Sequence, residues 1–196
     1  MSTTFFKLPV FGINAETADC VRLDFKIPAD LTKDFEFSPG QYLTFKARLG
    51  GEEVRRSYSI CTLPEDDLLS VAVKKIPGGV FSSYVNDDLK VGDVLEVMPP
   101  TGGFTLPHST ENTNNYVFYA AGSGITPCLS MIRSVLAHQA EAAVSLYYGN
   151  KHSDSIIFRE VLEGLKNQYM GRFSLHHILS QEAQDSPLFC GRINAE

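Results

Sequence analysis

At 196 residues the chain has room for one large domain or two compact ones, and two small domains are expected. Its composition, 43% hydrophobic and 20% charged without low-complexity tracts or repeats, excludes a disordered or fibrous chain. Seventeen Lys and Arg against 23 Asp and Glu give a net charge of −6, which disfavours nucleic acid or any general polyanion as a partner. Any phosphate site must therefore be local.

The first residues, Met1 to Lys7, contain no charged segment leading into an apolar run, and no stretch approaches the ~20 apolar residues of a membrane span. A cytoplasmic location and no membrane partner are expected. Val21, Leu23, Phe25 and Ile27 alternate with Arg22, Asp24 and Lys26, the period of a half-buried strand. Similar extended signals fall at 42–48, 54–60, 68–74 and 94–98, with turn chemistry at Ser38-Pro39-Gly40, Leu49-Gly50-Gly51 and Val91-Gly92-Asp93. Many short strands at this spacing predict a small antiparallel β-barrel over roughly residues 5–106.

The polar stretch Pro107–Asn115 reads as a linker or long loop. Beyond it the period changes. Tyr116–Ala121 is a continuous apolar run suited to a buried parallel strand; Leu129, Ile132, Val135 and Leu136 then recur at helical spacing after a start at Thr126-Pro127. A second strand at 143–148, a helix with Phe158, Val161, Leu162 and Leu165 on one face, and a third strand at 173–179 complete the alternating order of a doubly wound sheet. Cys20, Cys61, Cys128 and Cys190 are too scattered for a metal knuckle or iron–sulfur loop and read as reduced thiols, most of them packed as small hydrophobes. His176 and His177, adjacent on a strand, point to opposite faces and suit packing or surface roles rather than one metal. No metal site is expected.

Three stretches carry chemistry. Arg56-Ser57-Tyr58-Ser59 ends a predicted strand, so Arg56 and Tyr58 project to the same side, fit for a phosphate clamp and a ring to stack on, while Ser59 could bond a ring edge. An exposed strand Arg beside a half-buried Tyr fits the same residues. Pro77-Gly78-Gly79-Val80-Phe81-Ser82 opens a short helix whose free N–H groups suit a pyrophosphate, with Ser82 adding a hydroxyl; a hairpin turn before a capped helix fits equally. Gly122-Ser123-Gly124-Ile125-Thr126-Pro127 lies between a strand and a helix, the context of dinucleotide binding, with Pro127 near the place of the usual third glycine.

In this order, and across this change of domain type, the three stretches resemble the ferredoxin-NADP reductase family, as do Gly92-Asp93 and Pro100-Thr101-Gly102-Gly103-Phe104. The resemblance implies a Greek-key FAD-binding β-barrel at 1–108 followed by an NAD(P)-binding α/β parallel-sheet domain at 114–196, the latter incomplete. It implies that Arg56 and Ser57 belong to the FAD site, with Arg56 on the phosphates, that Tyr58 stacks on the isoalloxazine and that Ser59 contacts its hydride-accepting nitrogen, making Tyr58 and Ser59 the catalytic candidates. The backbone at Val73 and Lys74 would line the flavin, Gly79, Val80, Phe81 and Ser82 would bind its pyrophosphate, and Thr126 would lie near it. Gly122, Ser123, Gly124, Thr126, Asn150, Lys151 and Ser180 would face NAD(P)H.

Lys151, after the second parallel strand and with no carboxylate before Asp154, is the candidate for a 2′-phosphate and makes NADPH the expected nucleotide, NADH being possible; a solvated loop Lys beside a capping Ser153 or Asp154 is the alternative. Val71-Ala72-Val73-Lys74, Tyr148-Gly149-Asn150-Lys151 and Ile157-Phe158-Arg159 are similar to reductase subunits of the phenylacetyl-CoA epoxidase type within that family. Such subunits pass electrons to an iron–sulfur centre and an oxygenase. Family members continue through a further strand with a Cys-Gly-Pro-like motif, and the epoxidase type through a 2Fe-2S domain, so a fragment of a longer protein is expected, a naturally short variant with an incomplete nucleotide site being the alternative. The alternatives are a free-standing NAD(P)H:flavin reductase and a non-catalytic FAD-binding scaffold.

Overall fold

The computed structural model describes residues 4–106, 115–184 and 186–194. It divides into two compact units, Met1–Leu106 and Pro107–Glu196. The predicted linker, and with it the expected boundaries at 108 and 114, falls almost wholly outside the described residues.

The first unit contains β1 (Phe6–Pro9), β2 (Gly12–Thr17), β3 (Cys20–Phe25), β4 (Tyr42–Leu49), β5 (Glu52–Ser59), β6 (Leu69–Lys74), helix α1 (Val80–Asp87) and β7 (Val94–Thr101). The strands form two antiparallel sheets, ordered β1-β7-β4-β5 and β2-β3-β6. The expected barrel is thus a pair of sheets around one core rather than a closed hydrogen-bonded ring, with β5 and β6 joined through the single bridge Ile60–Val71. Helix α1 packs against both β5 and β6. Leu8, Leu23, Phe25, Leu43, Phe45, Val71, Val73, Phe81 and Val97 build the core. The polar side of β3 is satisfied rather than solvated: Arg22 Nε donates to buried Asp24 (2.8 Å), which also accepts from Ser70 Oγ (2.6 Å) and Asn14 Nδ2 (2.7 Å).

The second unit follows the alternating order: β8 (Asn115–Ala121), α2 (Ile125–His138), β9 (Ala143–Asn150), α3 (Arg159–Gln168) and β10 (Phe173–Leu179). The sheet is parallel, ordered β10-β9-β8. Leu129, Ile132, Val135 and Leu136 are all buried, as the helical spacing of α2 requires. Helix α3 differs from expectation at two residues. Phe158 precedes the helix in the left-handed region (φ 62°), buried as an anchor, and Val161 is exposed, so the apolar stripe runs through Leu162.

All four cysteines are free. Burial pushes the thiols of Cys20 and Cys128 up to about 12 and about 11, and that of Cys61 higher still, so these three are unreactive packing groups. His176 stacks on Tyr147 (4.9 Å between ring centres), whereas His177 faces Tyr148 and Glu163. Among the described residues no cluster of His, Cys, Asp and Glu could hold a metal ion, and no helix is long and apolar enough to cross a membrane.

Candidate functional site

In the first unit the chemistry gathers where β5 meets α1. Antiparallel pairing sets Arg56 opposite Phe45 and Tyr58 opposite Leu43, both of the latter fully buried, so Arg56 and Tyr58 stand on the core-facing row of β5. Tyr58 is half-buried, stacked on Phe81 of α1 (5.9 Å, 27°) and tilted against Phe45 (6.1 Å). Burial pushes its phenol up to about 12 against the opposing pull of the Arg56 charge, so it stays neutral. Arg56, by contrast, is exposed and makes no salt bridge among the described residues; its Nη1 donates to the Arg55 carbonyl (2.7 Å). Its neighbour Arg55, on the other face, is neutralised by Glu53 (2.7 Å). An unneutralised guanidinium on an inward row beside a ring supported from behind is a cradle for a planar, anionic ligand. Ser57 points away from that row and bonds Thr44 (2.9 Å), while Ser59 closes the strand opposite Tyr42.

The amino end of α1 supplies the second half. Gly78 takes φ +74°, and a Cβ on Gly79 would collide with Ser82 Oγ and Ile76 Cγ1. Only glycine lets the chain turn this tightly into a helix. The first helical bond runs from Ser83 N to the Gly79 carbonyl (2.9 Å), and the helix has no side-chain cap, so the N–H groups of Val80, Phe81 and Ser82 precede the ladder. Ser82 itself is buried, and its hydroxyl donates to the Gly79 carbonyl (3.2 Å) and accepts from Ile76 N (3.3 Å). It shapes the turn. Asn86, which local patterning does not single out, donates from Nδ2 to the carbonyls of Val73 (3.1 Å) and Ser82 (2.8 Å) and ties β6 to α1; its position four residues after Ser82 was the available signal. Val73 and Lys74 lie beyond the β5–β6 bridge, and the Lys74 ammonium pairs with Asp19 (3.4 Å).

In the second unit the Gly-rich stretch forms a tight 3-10 turn, Gly122–Gly124, with Gly122 at φ +51° between β8 and α2. Buried Tyr148 on β9 donates its hydroxyl to the Gly122 carbonyl (2.9 Å) and fixes the turn to the sheet. Thr126 is buried, its hydroxyl given to the Ser123 carbonyl (3.0 Å). At the exit of β9 the Asn150 carbonyl accepts from Ser180 N (2.9 Å), and the Asn150 Nδ2 is a buried donor without a partner among the described residues. Lys151 follows, exposed, with its carbonyl accepting from Gln181 N (2.9 Å). Gly122, Ser123, Gly124, Asn150, Lys151 and Ser180 therefore share the carboxyl edge of one parallel sheet, where dinucleotides bind in open α/β folds. Glu182 is not legible from the sequence because its place at this edge depends on β10 lying beside β9.

Together the two units define a flavin-binding and nicotinamide-nucleotide-binding oxidoreductase. Residues 7–106 match the oxidoreductase FAD-binding domain and residues 118–196 the oxidoreductase NAD-binding domain, and the chain belongs to this FAD- and NAD-binding oxidoreductase family. It is 45% identical to a component of the 1,2-phenylacetyl-CoA epoxidase of Escherichia coli (strain K12) over 194 residues, 99% of this chain and 54% of that protein. It is 38% identical to the ferredoxin reductase component of 3-ketosteroid-9-alpha-monooxygenase from Rhodococcus rhodochrous, over 88% of this chain and 48% of that one. The chain thus spans about half the length of these curated relatives. The fold is shared with the ferredoxin-NADP+ reductase of Plasmodium falciparum (TM-score 0.80, 22% identity, 92% of this chain and 75% of that one). It is also shared with the flavohem-like FAD/NAD-binding domain of nitric oxide dioxygenase from Vibrio cholerae (TM-score 0.82, 22% identity, 96% and 79%).

Proposed function

We propose that this chain carries the FAD- and nucleotide-binding part of an NAD(P)H-dependent reductase that hands electrons to an iron–sulfur centre and, through it, an oxygenase. The single observation that carries the reading is the pairing in one unit of unneutralised Arg56 and ring-supported Tyr58 with the uncapped, glycine-turned start of α1. That donor set fits FAD, whose two phosphates need both a guanidinium and a row of N–H groups. Arg56 would hold the phosphates together with the N–H groups of Val80, Phe81 and Ser82, where Gly79 permits close approach. Tyr58 would lie against the ring, with Ser59 and the backbone at Ser57, Val73 and Lys74 around it, the Ser57 side chain facing Thr44 instead. A flavin held there supplies hydride acceptance and one-electron release. The neutral phenol of Tyr58 adds no charge to the ring's surroundings, and its packing on Phe81 sets the stacking plane.

In the second unit Gly122, Ser123 and Gly124 would receive the nucleotide's phosphates on the turn that Tyr148 anchors, with Thr126 behind them and Asn150, Lys151 and Ser180 along the adjoining edge. The resemblance in sequence to an epoxidase component and to a ferredoxin reductase component of a monooxygenase supports an oxygenase system as the terminus, that of phenylacetyl-CoA epoxidation above others. Purification followed by anaerobic addition of NADPH tests the proposal. Bleaching of bound flavin, restored by an iron–sulfur acceptor, is expected; stable colour would point instead to a non-catalytic flavin-binding protein.

A further inference from the structure

At the exit of β9 a carboxylate reaches in from the segment that follows the neighbouring strand β10. In a dinucleotide-binding sheet the adenosine ribose falls at the exit of the strand next to the Gly-rich turn, where an acidic residue accepts from the 2′-hydroxyl and a basic residue suits a 2′-phosphate. Here that exit is Asn150-Lys151-His152-Ser153, at the end of β9. Ser180 N and Gln181 N donate to the carbonyls of Asn150 and Lys151 (2.9 Å each), so pairing runs on past both strand ends. The next residue is Glu182, whose Oε2 accepts from the Ser153 backbone N–H at 2.7 Å.

We infer that Glu182 is a specificity-determining carboxylate, held at the exit of β9 so that its charge opposes a 2′-phosphate and offsets the attraction of Lys151. The hydrogen bond from Ser153 N–H, with smaller help from His152 and Arg159, holds the Glu182 carboxyl below its usual range and hence ionised at neutral pH. Lys151 and Glu182, one from each side of the same exit, leave this chain with limited discrimination between the two nucleotides. The inference rests on reading the second unit as the nicotinamide nucleotide site.

The test is calorimetric binding of adenosine 2′,5′-bisphosphate and of 5′-AMP to the purified chain, wild type, Glu182→Gln and Lys151→Ala, backed by kcat/KM for NADPH and NADH in the flavin-loaded enzyme. Gln keeps an oxygen for the Ser153 N–H and removes only the charge. Glu182→Gln is expected to raise the preference for the 2′-phosphorylated ligand about five- to tenfold, the effect of one charge near a phosphate in high dielectric, and Lys151→Ala to lower it by a similar factor. A preference unchanged within about twofold in Glu182→Gln, with both ligands still bound, overturns the role of Glu182 alone and leaves it a backbone cap. Failure of the wild type and both variants to bind either ligand overturns the nucleotide-site reading and this inference with it.

Discussion

The two units solve the problem of holding a nucleotide cofactor in different ways. In the first, the candidate site is side-chain chemistry on an antiparallel strand, backed by rings: Phe45 and Phe81 hold Tyr58 in place, and a steric limit at Gly79 fixes the turn beside it. In the second, the site is backbone geometry at the edge of a parallel sheet, where Tyr148 pins the Gly122 turn and the exits of β8, β9 and β10 supply the remaining candidates. A site built on close packing tolerates little change of volume, whereas one built on exposed strand exits tolerates it well but is governed by charge.

Glycine substitutions break the comparison most sharply. At Gly79 an added methyl meets Ser82 and Ile76, so Gly79→Ala should destabilise the first unit by about 1–3 kcal/mol through overpacking and abolish stoichiometric flavin. Gly124, whose Cβ would meet nothing within 4 Å, should accept Ala with unchanged thermal stability. Equal losses at both positions would erase the distinction. Tyr58→Ala comes next: lost stacking and area should weaken FAD binding by roughly 1–3 kcal/mol with the fold kept, as read by flavin titration and circular dichroism. An unchanged dissociation constant removes Tyr58 from the site.

Tyr148→Phe probes the other unit, removing one hydroxyl and leaving the Gly122 carbonyl without that donor. A stability loss of about 1 kcal/mol in denaturant unfolding is expected, with weaker nucleotide binding and undisturbed flavin.

The smallest effect is a pH dependence. Burial lowers the His177 pKa, and Glu163, 3.7 Å from Nε2 and beyond hydrogen-bond reach, only partly offsets this. A histidine depressed in the folded state adds no pH dependence above its unfolded value, near 6.5. Below that value the unfolded chain takes up the proton first, so stability falls until the lower folded value is reached. Unfolding free energies from denaturant titrations between pH 8 and 5 should drop more steeply in the wild type than in His177→Gln, the slope difference staying under about 1.4 kcal/mol per pH unit. Parallel profiles would show that His177 does not titrate differently on unfolding.

The same contrast explains what was legible in the sequence. The motifs at Arg56–Ser59, Pro77–Ser82 and Gly122–Pro127 each occupy consecutive residues, so local patterning exposed them, and the parallel strands were placed closely, although β8, expected to be buried, is buried on one face only, with Phe118 and Ala120 covered and Val117 and Tyr119 exposed. Strands β1 and β2 escaped because they are short edge strands, one ending at Pro9 and the other carrying the weakly apolar Gly12-Ile13-Asn14-Ala15-Glu16-Thr17. The gap between the two sheets depends on one bridge near the 61–68 loop, which no periodicity reports. Ser82, expected to face a phosphate, turned inward because a buried turn needed its hydroxyl. Glu182 and Asn86 act across strands and a helix, and only pairing in three dimensions brings them to their partners.

The central claim is that Arg56 and the start of α1 form one site for a pyrophosphate-bearing flavin. Mass spectrometry of the flavin released from purified protein, wild type against Arg56→Ala, tests it most directly. FAD at one per chain in the wild type, and little or none in the variant, is the predicted result; FMN alone, or FAD held equally well without Arg56, would contradict it.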